Sequence, residues 1–158
     1  MNYSKINRND VANGPGVRVS LFVSGCRNHC PGCFNPETWD FANGTPYTEE
    51  TEQTILNALM PGWITGLSLL GGDPFEPENE KALIPLAMKA RETGKTVWCW
   101  TGYLMEDLKG RELLKHIDVL VDGPFVLAEK DITLPYCGSR NQRVIPISER
   151  AKKEFEKA

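Results

Sequence analysis

A chain of 158 residues, 41% hydrophobic and 25% charged, is long enough to bury one core of ordinary size, and residues 1–158 are expected to form a single domain. Its net charge of -3 comes from mixed signs, and the paired cations Lys152 and Lys153 stand beside Glu154 and Glu156, which argues against nucleic-acid binding. No apolar run approaches the ~18 residues of a membrane span, and the polar residues 1–10 lack the apolar stretch of a secretory signal, so a cytoplasmic protein is expected.

In chain order, residues 17–23 alternate as a half-buried strand that runs into Ser24-Gly25-Cys26. Thr48, followed by Glu49, Glu50 and Glu52, caps a helix predicted to reach Met60, where Pro61-Gly62 stops it. A second strand over 66–70 ends at Gly71-Gly72-Asp73-Pro74, and a helix over 78–93 follows with Gly94 as its cap. The unit recurs: strand 96–100, loop Thr101-Gly102-Tyr103, helix 106–115, then strand 119–122 before Gly123-Pro124. Residues 131–141 are turn-rich, 142–146 suit a short strand, and 148–157 an amphipathic helix.

Alternation of strand, glycine turn and helix predicts an α/β fold of parallel strands with right-handed crossover helices. A complete eight-unit barrel takes ~250 residues, so the expectation is a partial TIM-like barrel of four or five strands. Chemistry in such folds gathers at the carboxyl ends of the strands, which would bring Cys26, Gly71, Thr101 and Asp122 to one face.

Five cysteines is an odd count, and three of them fall within eight residues, Cys26-Arg27-Asn28-His29-Cys30-Pro31-Gly32-Cys33. That crowding fits a metal site in a reducing compartment better than a disulfide framework. Thiolates suit iron-sulfur clusters, and a cubane normally asks for four, so three leave one iron open to a substrate. Structural zinc would want a fourth ligand, for which Cys99 and Cys137 are the candidates. Exchange chemistry at Cys30-Pro31-Gly32-Cys33 would need no third cysteine, and a ferredoxin-like carrier would want a fourth at close spacing.

The C-x3-C-x2-C spacing after a first strand resembles the radical S-adenosylmethionine superfamily. An aromatic residue often precedes the third cysteine there; here Gly32 holds that place and Phe34 follows Cys33. Cys-Pro-Gly-Cys-Phe-Asn is similar to the version in activating proteins of anaerobic ribonucleotide reductase. The same family is suggested by Asn13-Gly14-Pro15-Gly16-Val17-Arg18, Leu21-Phe22-Val23-Ser24-Gly25-Cys26, Gly71-Gly72-Asp73-Pro74, Trp100-Thr101-Gly102-Tyr103, Val119-Leu120-Val121-Asp122-Gly123-Pro124-Phe125 and Gly138-Ser139-Arg140-Asn141-Gln142. The likeness spans residues 13–144.

The resemblance implies a 4Fe-4S cluster on Cys26, Cys30 and Cys33, with S-adenosylmethionine chelating the open iron by its amino and carboxylate groups. It further implies reductive cleavage to a 5′-deoxyadenosyl radical, which takes a hydrogen from one glycine of the large subunit of anaerobic ribonucleotide reductase. Flavodoxin or a similar low-potential carrier would supply the electron. The runner-up within the class is an activase of another glycyl-radical enzyme, such as pyruvate formate-lyase.

Gly32 and Phe34 flank the third cysteine and are candidate cofactor contacts. Gly71 and Gly72 would let backbone approach a ligand, with the Asp73 carboxylate holding its ammonium group; a plain strand-to-helix turn is the alternative. Thr101 is placed at the ribose or methionine part. Asp122 would bond a cofactor hydroxyl or a protein substrate, or cap the turn at Gly123-Pro124. Arg18 could pair with a carboxylate or lie on the surface. His29 reads as a spacer, His116 as a helix-end cation and Cys99 as a buried thiol. Cys137, in a glycine-flanked loop, reads as reactive.

Overall fold

The computed structural model describes residues 1–33 and 36–157. Its first element was not expected. The polar opening forms β1 (Asn2–Asp10), which pairs antiparallel with β2 (Val17–Val23). Its outer neighbour is the two-residue β3 (Thr45–Pro46). Being near the sheet's edge, β1 needs little apolar character, and its burial is intermediate along most of its length.

Beyond β2 the predicted units appear. Thr48 caps α1 (Glu49–Ala58) through a reciprocal capping box with Thr51. β4 (Ile64–Gly71) leads through the Gly-Gly-Asp-Pro turn into α2 (Pro77–Glu92), and β5 (Thr96–Trp100) follows. The predicted helix over 106–115 is a correction: α3 spans only Met105–Leu108, Gly110 at φ 85 breaks it, and a 3-10 turn follows at Leu113–His116. Arg111 and the Leu113 amide then bond Glu80 on α2, which holds the broken segment down. β6 (Val119–Asp122), β7 (Arg143–Pro146) and α4 (Glu149–Glu156) complete the chain.

Among the described residues these strands form one open sheet of seven, in the order β3-β1-β2-β4-β5-β6-β7. β2, β4, β5 and β6 are parallel, but β1, β3 and β7 run antiparallel to their neighbours. The sheet is therefore mixed, and the expected all-parallel arrangement holds only for its centre. No helix among the described residues is long and apolar enough to cross a membrane.

Period-two alternation divides each central strand between two faces. Val19, Leu21, Val23, Leu67, Leu69, Val97, Cys99 and Leu120 pack with Ile55 of α1 and with Leu83, Leu86 and Ala87 of α2. Arg18, Ser20 and Phe22, with Ser68 and Leu70, and Trp98 and Trp100, occupy the opposite face. α4 covers the lower part of that face, with Ala151 beside Trp98, Val119 and Val121.

Arg18 is neither on the surface nor bonded to a carboxylate. It is fully buried, and its guanidinium donates to Ser68 Oγ (2.8 Å), Leu67 O (2.9 Å), Thr96 O (3.0 Å) and Thr96 Oγ1 (3.1 Å), tying three parallel strands together. Room for it comes from Gly66, where an added Cβ would lie 2.2 Å from Thr96 O and 2.7 Å from Arg18 Nη2. Gly66→Ala is therefore expected to cost about 3 kcal/mol by overpacking, read as a lower urea midpoint at unchanged slope. An unchanged midpoint would mean that the strands can part without penalty.

Candidate functional site

The end of β2 and the end of β4 are built into each other. Gly72 N donates to Val23 O (2.7 Å) and Asp73 N to Gly25 O (2.8 Å), while Gly25 N donates to Thr38 O (2.6 Å). A Cβ on Gly72 would lie 2.6 Å from Gly25 O, and one on Gly71, at φ 104, would lie 2.7 Å from Val23 O. The close approach these glycines permit is thus to the stem of the cysteine loop, although both also line a cavity. Asn79, buried in the first turn of α2, fixes the same junction by donating to Ser24 O (3.0 Å) and Asp73 O (2.9 Å).

The cysteine loop leaves this junction with Cys26 N bonded to Trp39 O (3.1 Å), and it turns at Cys33 N to Cys30 O (3.0 Å). His29, at φ 43, stacks on Trp39 with ring centroids 4.7 Å apart, consistent with a spacer. Arg27 pairs with the buried Glu76 and with Glu78, and stacks on Phe41. Tyr103 also donates to Glu76, so the loop is tied to the segments after both β4 and β5.

Asp73 is the centre of the arrangement. Only 1% exposed, its carboxylate accepts from Thr101 Oγ1 (2.8 Å), Gly102 N (2.9 Å) and Phe75 N (3.0 Å), with Asn28 Nδ2 at 3.4 Å. Burial pushes this carboxyl up to about 6, against the pull of those donors. Both oxygens are engaged within the protein, so Asp73 works here as a strut between the cysteine loop and the loop after β5. Thr101, whose hydroxyl serves that strut, accepts from Tyr103 N (3.1 Å).

A cavity of about 520 Å³ opens at the carboxyl ends of β2, β4 and β5. Cys26, Cys30, Cys33, Gly71, Gly72, Asp73 and Thr101 all line it, as do Phe22, Leu70 and Trp100 from the sheet. Two of the residues expected at the cofactor, Gly32 and Asp122, are not among those lining the cavity. Gly32, at φ 75, turns toward Leu127 and Phe125. Asp122 is fully buried and absent from the cavity wall, accepting from Arg143 Nε (3.0 Å) and Met105 N (2.9 Å). Phe34 lies outside the described residues.

Cys99 sits on the helix-facing side, and burial raises its thiol well above the ordinary range. Cys137 is half-buried and lines the cavity, a placement that no local pattern announced. Burial also raises the Cys26 thiol, to about 11, so metal ligation is what would make it a thiolate near neutral pH. Among the described residues no three His, Cys, Asp or Glu side chains are clustered as ligands of one metal ion. Three thiols on the wall of one cavity nevertheless form a soft donor set of the kind that iron-sulfur clusters take.

Residues 12–145 match the family of 4Fe-4S single cluster domains, which defines the class of protein. The anaerobic ribonucleoside-triphosphate reductase-activating protein of Enterobacteria phage T4 is 43% identical over 148 residues, 91% of this chain and 93% of its own. That of Escherichia coli K12 is 43% identical over 150 residues, 91% and 97% of the two chains, and that of Vibrio cholerae 44% over 148 residues, 90% and 96%. The chain belongs to the 4Fe-4S single cluster family and, within it, to the anaerobic ribonucleoside-triphosphate reductase-activating proteins.

Proposed function

We propose that this protein activates anaerobic ribonucleotide reductase by radical S-adenosylmethionine chemistry. Cys26, Cys30 and Cys33 would hold a 4Fe-4S cluster, and S-adenosylmethionine would occupy the adjoining cavity. One observation carries the reading: three cysteines from the loop after β2, the turn after β4 and Thr101 after β5 all face one cavity. Its volume of about 520 Å³ lies within the range of small-molecule sites. When bound, the pair supplies reductive cleavage of the sulfonium and removal of a hydrogen atom from one glycine of the reductase large subunit, leaving a glycyl radical there.

The chain's own contribution is to hold and shape. Backbone groups at Gly71 and Gly72 would receive the ligand's amino group, and Phe22, Leu70 and Trp100 present apolar surface to it. Asp73 keeps Thr101 and Gly102 in register with the cysteine loop rather than meeting the ligand's ammonium. Asp122 is read as an anchor for Arg143 at the end of β6. Gly32 and Phe34, on either side of Cys33, remain proposed cofactor contacts.

In this reading residues 1–158 act as one radical S-adenosylmethionine domain, and the open sheet is an incomplete barrel whose missing side admits a peptide. A low-potential carrier such as flavodoxin, in the cytosol, would deliver the electron. The test is the absorption and paramagnetic resonance of anaerobically reconstituted protein with and without S-adenosylmethionine. A ligand-induced change, release of methionine on reduction and a glycyl-radical doublet once the reductase is added are expected. An intact cluster that ignores the sulfonium compound would sink the proposal.

A further inference from the structure

The motif Gly138-Ser139-Arg140-Asn141-Gln142 was singled out in the sequence, yet none of the chemistry above uses it. Its setting is the segment 123–142, which leaves the sheet after β6 and returns as β7. On the way it supplies one wall of the cavity through residues such as Phe125, Ile132, Tyr136 and Cys137. The wall has a paired stem, with Lys130 opposite Ser139 and with Asp131 N bonded to Gly138 O (3.1 Å) and Arg140 N to Glu129 O (2.9 Å).

Gln142 closes the base of that stem. Its Oε1 accepts from Gly138 N (2.8 Å) and Ser139 N (3.1 Å), while Nε2 donates to Gly123 O (3.0 Å). One amide therefore joins the start of the segment to its end. Asn141 Nδ2 supports it by donating to Pro124 O (2.8 Å), and Ser139 Oγ donates to Asn141 Oδ1 (2.6 Å). Farther along, Trp100 Nε1 donates to Tyr136 O (2.7 Å), holding a tyrosine whose φ of 65 the chain would not adopt unaided.

We infer that Gln142 is a positioning residue: by clasping the two ends of the 123–142 segment it sets the cavity wall against which S-adenosylmethionine is held. The inference rests on the proposed function for the identity of that ligand. Gln142 is itself part of that wall and its bonds go to Gly123, Gly138 and Ser139, none of them a cysteine, so it governs ligand retention and leaves cluster assembly alone.

The test compares wild type, Gln142→Ala and Gln142→Glu, each reconstituted anaerobically. Gln142→Ala should keep its iron and its circular dichroism. The S-adenosylmethionine concentration that half-changes the resonance spectrum should rise about tenfold, and KM for methionine release should rise with it while kcat stays within about twofold. Amides within 124–138 should exchange hydrogen faster, with those of α1 and α2 unchanged. Gln142→Glu keeps an oxygen for Gly138 and Ser139 but sets its second oxygen against Gly123 O, so the clasp opens and the affinity should fall as in Gln142→Ala; a Glu variant that binds like wild type also overturns the inference. An identical ligand titration in Gln142→Ala overturns the inference, as does loss of iron in both variants or a fall in kcat at constant KM. Wild-type protein that does not respond to S-adenosylmethionine overturns the proposed function and this inference together; a responding wild type with an equally responsive Gln142→Ala overturns this inference alone.

Discussion

Cys26→Ala is expected to yield a folded protein that carries no stable cluster and releases no methionine. The thiol is one of three on the cavity wall, and two thiolates leave half of a cubane's usual ligand set unfilled. Folding should survive, because Cys26 contributes its amide to the bond with Trp39 O and an alanine keeps that amide. Iron analysis and the visible absorption of the reconstituted variant decide the matter. Cys99→Ala, on the other side of the sheet, should retain its iron. A Cys26→Ala protein with full iron and full methionine release would instead show that Cys26 is not a ligand of the cluster.

The second large effect is expected at Asp73. Removing its carboxylate orphans Thr101 Oγ1 and the amides of Gly102 and Phe75 at the place where two loops meet. Asp73→Ala should lose about 2–4 kcal/mol of stability. Turnover should fall on the order of 100-fold, because loops that set cofactor geometry tolerate little displacement. Retained iron with a large kcat loss would separate this role from that of the cysteines; unimpaired turnover would refute it.

Asp73 also gives a pH signature. Its folded carboxyl titrates near about 6, above the unfolded value of about 3.9, so the folded state binds the proton more tightly. Above the folded pKa the ionised, buried group costs stability relative to the unfolded chain; below about pH 4 that cost is absent. The stability difference, wild type minus Asp73→Asn, should therefore decline by about 3 kcal/mol as pH rises from about 4 to 6 and level off beyond. Urea titrations at several pH values measure it, and a difference that grows over this range would contradict the burial argument.

Much of this could be read from local pattern. The strands 17–23, 96–100 and 119–122 lie at the residues expected of them, and Thr48 caps its helix as its side chain and the acidic turn after it announce. β1 escaped because a strand of intermediate burial near an edge carries no apolar run. The helix after β5 was overextended because its periodicity continues past Gly110, whose positive φ ends it. At the site, cysteine spacing and glycine turns identified the right loops, but roles depended on distant partners. Asp73 meets Thr101, Asn79 meets Ser24 and Gln142 meets Gly123, pairings separated by 28, 55 and 19 residues. Asp122 ended the right strand, yet Arg143 on the neighbouring strand claims it.

The arginine beneath the cavity carries one more consequence. Arg18 lies on the same face of β2 as the cavity-lining Phe22, and burial lowers its pKa only to about 10, so it is a cation at neutral pH. None of the groups bonded to it is an acid; Asp118, Asp10 and Glu154 act on it only through space. The region under the cavity therefore holds a balanced group of charges and not a bare cation. Mobile ions penetrate such a region poorly, so this internal balance should persist at ionic strengths that erase attraction between surface charges.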